Sequence, residues 1–120
     1  MKKILLWSLG IQLVAFSKAD KMTGRWTSKP SSGGNTTAAI FRENNSFETY
    51  IDNNLFVSGT YSFSETDSVF TITDNGCNGL TGEYKILFFS NSDSLRFAVL
   101  RDNCIERKEQ VEGLIMGRVK

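Results

Sequence analysis

After Gly24, turn-forming clusters interrupt the chain roughly every ten residues, a spacing that suits short strands. The clusters are KPSSGGN (Lys29–Asn35), ENN (Glu43–Asn45), DNN (Asp52–Asn54), ETD (Glu65–Asp67), DNG (Asp74–Gly76) and SNSD (Ser90–Asp93). Asn, Asp, Gly and Ser favour tight turns because they tolerate left-handed backbone or hydrogen-bond their own main chain. Between them lie runs rich in aromatic and β-branched residues, which fit a pleated, half-buried surface. Eight strands are expected, over 24–29, 37–43, 46–51, 55–64, 68–73, 80–89, 94–101 and 111–119. The short linkers make successive strands antiparallel neighbours. One segment departs from the pattern: Asp102–Gln110, DNCIERKEQ, is expected to form a single helical turn before the last strand.

Alternation within the runs assigns faces. Phe47, Thr49 and Ile51 share one side of the third strand, while Glu48 and Tyr50 face away. Gly59, Tyr61 and Phe63 line up on the fourth strand, Gly82, Tyr84, Ile86 and Phe88 on the sixth, and Leu95, Phe97 and Val99 on the seventh. The fifth strand stays open between Val69/Thr71 and Phe70/Ile72, and the inward face of the eighth is likewise open. An eight-stranded antiparallel sheet exposes two edges unless it closes. A two-sheet sandwich competes, but sequential hairpins favour an up-and-down barrel over the long crossings of a Greek key. The fold class expected is therefore all-β, an eight-stranded antiparallel up-and-down barrel.

The first 19 residues belong to a different class. Lys2 and Lys3 precede a mostly apolar run from Ile4 to Phe16, and Ser17-Lys18-Ala19 places small residues where a signal peptidase reads them. The run is too short for a bilayer, which needs about 20 residues. The expectation is a cleaved signal peptide over 1–19 and one barrel domain over 20–120, exported to a periplasm or secreted. Cleavage leaves 11 basic against 13 acidic residues with interspersed signs. That balance argues against nucleic acid or an anionic membrane as partner. A monomer is expected, with no membrane span.

Export bears on the cysteines. The chain has two, Cys77 in a glycine-rich turn and Cys104 beside a charged segment. A domain of this size buries only about two-thirds of its surface on folding, so a cross-link helps it considerably. The expectation is a structural Cys77–Cys104 disulfide. A redox or metal pair is the weaker reading, since there is no CxxC and no histidine to complete a zinc site.

The mature chain opens KMTGRWTSK, and a Gly-x-Trp at the first of eight strands resembles the lipocalins and the wider calycin superfamily. GTYSF, GEYKI and LRFAVLRDNCIERK look like small exported bacterial lipocalin-like domains. The resemblance implies structural roles for Gly24 and Trp26, with Trp26 closing one end of the barrel beneath an arginine near the last strand. Arg118 is the candidate for that arginine and Arg107 the reserve. The family's second pattern, Thr-Asp-Tyr between the sixth and seventh strands, is replaced here by SNSD. The opening also resembles avidin-type biotin binders, but their sites use several tryptophans and the mature chain has only Trp26. With Trp26 at the closed end, connections 30–36, 52–54, 74–79 and 102–110 fall at the opposite rim, which in lipocalin-like folds admits the ligand. A Cys77–Cys104 bond would tie two of those rim loops.

Histidine is absent, which removes catalytic triads and histidine acid–base chemistry. No glycine-rich phosphate cradle opens a helix. Most carboxylates fall in turns or on outward positions and read as solvated charge, and DNCIERKE reads as a solvated turn more than as a recognition rim. No catalytic residue, cofactor or metal is expected. Phe47, Tyr61, Tyr84 and Phe97 are the candidate ligand-binding residues, as either a filled core or the walls of a small pocket. The functional expectation is binding of a small apolar molecule inside the barrel without catalysis. The alternative is a solid-core interaction or inhibitor module that contacts a protein through its rim loops.

Overall fold

All eight runs form strands in the computed structural model, which describes residues 20–28 and 34–120. The expected signal peptide over 1–19 and most of the first rim connection lie outside the described residues. The strands are β1 Gly24–Ser28, β2 Thr37–Phe41, β3 Ser46–Ile51, β4 Asn54–Ser64, β5 Val69–Asp74, β6 Thr81–Phe89, β7 Ser94–Asp102 and β8 Ile115–Arg118. Each pairs antiparallel with the next, and β8 returns to β1 through Trp26↔Arg118, Thr27↔Gly117 and Ser28↔Met116. The result is a closed eight-stranded up-and-down barrel.

Inward alternation supplies the core. Trp26, Tyr84, Phe47, Phe70, Met22, Ile86, Leu95 and Met116 are the largest fully buried side chains. Burying one such side chain contributes about 1.5–3 kcal/mol. Phe70 and Ile72 point inward on β5, and Asp74 follows them into the interior. On β8, Met116 is buried while Ile115 faces out. Two register irregularities bend the wall toward the rim: Thr49 pairs with Val57 and Tyr50 with Leu55, which leaves Phe56 as the additional residue of β4, and a second lies at Glu83/Tyr84.

Most strand ends fall within one or two residues of expectation, and the larger departure is the start of the eighth strand, at Ile115 rather than at 111. Helix α1, Ile105–Val111, runs past the single expected turn and takes the residue assigned to the start of the eighth strand. Glu106-Arg107-Lys108-Glu109-Gln110 is a run of good helix formers, and Asp102 launches it by accepting the Cys104 N–H at 2.9 Å. Gly113, at φ 78°, stops it in the left-handed conformation that glycine adopts most easily.

The end at which β1 begins is sealed. Trp26 is fully buried and donates its indole N–H to the Met22 carbonyl at 2.9 Å. The Arg118 guanidinium carbon stands 4.2 Å from the indole centroid. The same group donates to the carbonyls of Thr23 and Lys21, each at 2.9 Å, so it clamps the incoming chain over the tryptophan. Gly24 has φ 132°, and a Cβ there would come within 2.9 Å of Arg118 Nη1. Gly-x-Trp thus combines a backbone only glycine accepts readily with the plug that follows it.

Candidate functional site

A cavity of about 1010 Å³ occupies the half of the barrel away from Trp26. Its inner wall is apolar: Phe41, Phe47, Phe70, Phe97 and Met116 line it, with Thr49 and Ile51 higher on β3. The aromatic rings hold one another in place. Phe41 meets Phe47 at 5.8 Å and Phe70 edge-on at 5.5 Å, and Phe70 meets Phe97 at 5.6 Å between centroids. Such pairs favour offset or edge-to-face geometry and resist collapse into the space beside them.

The lining continues to the rim, where Gly76, Cys77 and Cys104 contribute. Cys77 and Cys104 are joined, with their Cα atoms 5.9 Å apart across a sequence separation of 27. The bond ties the β5–β6 connection to the start of α1. The helix presents Glu106, Arg107, Gln110 and Val111 to the cavity, the spacing of one helical face. Lys108 and Glu109 are exposed and take no part in the lining.

Beneath the disulfide lies an ionic cluster. Arg107 donates from Nε to Asp102 Oδ2 at 2.7 Å and from Nη2 to Asp102 Oδ1 at 2.8 Å. It also donates from Nη1 to Asp74 Oδ2 at 3.2 Å and from Nη2 to the Leu80 carbonyl at 3.0 Å. Tyr84 adds its hydroxyl proton to Asp102 Oδ2. Burial works against the charged form of Asp102. Hydrogen bonds from Arg107, Tyr84 and the Cys104 N–H, with the Arg107 charge, outweigh it and lower the carboxyl to about 2. Burial, then the bond to Asp102, pushes the Tyr84 hydroxyl well above the usual phenol range. Gly82 leaves room for this cluster, since a Cβ there would stand 2.5 Å from Asp102 Oδ2.

The four candidate ligand-binding residues separate into two pairs. Phe47 and Phe97 line the cavity. Tyr61 and Tyr84 point inward but stand outside the lining, with Tyr61 donating to the Arg42 carbonyl at 3.0 Å and Tyr84 to Asp102. Arg107 is not available to cover Trp26: it is committed to the ionic cluster at the opposite end, and of the two candidates it is Arg118 that meets the indole. The reading of 102–110 as a solvated turn is likewise corrected, because Asp102, Cys104 and Arg107 are buried. Phe41, Phe70, Asp74 and Met116 are cavity residues that sequence reasoning did not single out. An inward Phe70–Ile72 face on β5 was the one signal able to point to Asp74.

No family model matches the sequence, and no curated protein matches it. Among solved structures, the chain is similar to an NMR structure of a protein from Bacteroides uniformis ATCC 8492. The identity is 16%, the TM-score 0.56, and the match covers 83% of this chain and 90% of that one. A likeness at that identity establishes the barrel fold alone.

Proposed function

We propose that this protein is an exported, lipocalin-like barrel that holds one small, mainly apolar molecule in its interior and releases it unchanged. The observation that carries the reading is the cavity of about 1010 Å³ with its aromatic inner wall. Ligand sites commonly occupy about 300–1,000 Å³ and combine an apolar lining with a few placed polar groups. The sealed Trp26 end and the disulfide-tied rim support a single mouth. The disulfide also supports export, because such bonds persist in oxidising compartments.

The test is a screen of environment-sensitive apolar probes against the folded protein. At least one is expected to bind with Kd below about 100 μM, equivalent to roughly −5.5 kcal/mol. Phe97→Ala is expected to change that affinity, with little dependence on salt because apolar burial drives it. Absence of binding across the screen would reject the reading. A second reading, the protein-binding module, draws on exposed Leu55, Phe56, Leu80 and Ile105, all carried on segments at the rim. It becomes the better account if no probe binds.

A further inference from the structure

Two carboxylates and one guanidinium are buried together at the cavity wall, so the cluster has one negative charge in excess. The side chains of Asp74, Asp102 and Arg107 are 3%, 0% and 5% exposed. The two carboxylates are not equivalent. Asp102 accepts four hydrogen bonds, from Cys104 N–H, Tyr84 O–H and two nitrogens of Arg107. Four is about what a carboxylate can take. Asp74 accepts two among the described residues, from the Gly76 N–H at 2.8 Å and from Arg107 Nη1 at 3.2 Å. It is Asp74, with half its acceptor capacity remaining, that lines the cavity, and Asp102 does not.

Arg107 offers little to an anion, because four of its five N–H groups are committed and a single one on Nη1 remains. Its Nε and Nη2 are directed to Asp102 and Leu80, and its Nη1 to Asp74. The paired N–H geometry with which arginine grips a carboxylate is therefore occupied within the protein. Among the described residues, the charged members of the lining are Asp74, Glu106 and Arg107, again with acid in excess. A buried charge left without compensation is unfavourable, so a cation brought to this wall gains and an anion loses.

We propose that the barrel takes an amphipathic amine, with its apolar body against Phe47, Phe70 and Phe97 and its ammonium group donating to the open side of the Asp74 carboxylate. The assignment rests on the binding reading above and adds the chemical class of the ligand.

Calorimetric titration with decylamine, decanol and decanoate at neutral pH, each below its aggregation concentration, tests it. The three share a chain and differ in the charge of the head. Decylamine is expected to bind about tenfold tighter than decanoate, the size of one charge-assisted contact. Asp74→Asn should abolish the preference, whereas Glu109→Gln on the exposed face of α1 should preserve it. If Asp74→Asn fails to fold, the Gly76 amide resonance of the unaltered protein provides the readout. It should shift with decylamine and stay in place with decanol. Equal affinities, a preference for decanoate, an unmoved Gly76 amide or loss of preference in Glu109→Gln would overturn the amine assignment while the cavity reading stands. If none of the three binds, the amine assignment fails, and the probe screen decides the cavity reading separately.

Discussion

Asp102 is a single carboxylate on which a tyrosine, an arginine and a backbone N–H converge, and its titration is the most exposed consequence of that arrangement. Its carboxyl is lowered to about 2 in the folded protein, from 3.8 in an unperturbed chain. A depressed folded value stabilises above the unfolded one and is lost as pH falls through the folded one. The protein should therefore lose about 2 kcal/mol from this group between pH 4 and pH 2. Urea titrations across that range should show the slope, and Asp102→Asn should flatten it. Asp102→Asn should also lower stability at neutral pH, because Arg107 is left with the longer Asp74 contact. The residue roles differed in how readable they were. Gly24 and Trp26 form a local pattern, and the last strand offers few arginines, so that corner was open to sequence reasoning. Asp74, Asp102 and Arg107 stand among turn residues, where charge is normally solvated. Only the folded chain brings them together over separations of 33 and 5 positions.

At the scale of elements, the turn chemistry did most of the specifying. Left-handed backbone occurs at Asn45, Asp52, Asn53 and Asn78 and through Ser90-Asn91-Ser92, in or beside the clusters that mark the connections in the sequence. β5 was ambiguous because both of its faces, Val69/Thr71 and Phe70/Ile72, carry β-branched and apolar residues, and partners on β4 and β6 decide between them. Helix α1 was underestimated because three of its four inward residues, Glu106, Arg107 and Gln110, are polar, so it lacks the apolar stripe that announces a helix. What holds α1 over the cavity is the Cys77–Cys104 bond together with the ionic cluster. Closing a loop of 27 residues is worth about 3.5 kcal/mol in chain-entropy reasoning. Replacing both cysteines by alanine should remove an amount of that order in denaturant titrations. Hydrogen exchange should rise first in Gly76–Leu80 and α1, ahead of the strands near Trp26. Uniform exchange across the two ends would argue that the bond stabilises without organising the mouth.

The whole molecule has unlike ends: a sealed base built on Trp26, Met22 and Arg118, and a hollow upper half ringed by the disulfide and α1. The barrel and its hairpin order were readable because every pair but one joins neighbours in sequence. The hollow was not, since the same aromatic residues can fill a barrel or line one. The exception among the pairs, β1 with β8, also sets the order of events in time. Arg118 reaches Lys21 and Thr23 across separations of 97 and 95 positions, far beyond the span of any hairpin. Long-range contacts of this kind form only after the intervening chain is arranged. The clamp on Trp26 should therefore be absent from the folding transition state. Arg118→Ala, with about 2 kcal/mol of cation–π and hydrogen-bond stabilisation removed, should leave the refolding rate nearly unchanged and accelerate unfolding roughly thirtyfold. Stopped-flow kinetics would read this directly, and a slowed refolding limb would mean that the ends meet early. If the ends do meet late, the arginine acts as a latch: it governs how long a folded molecule lasts and has little influence on how quickly one is made.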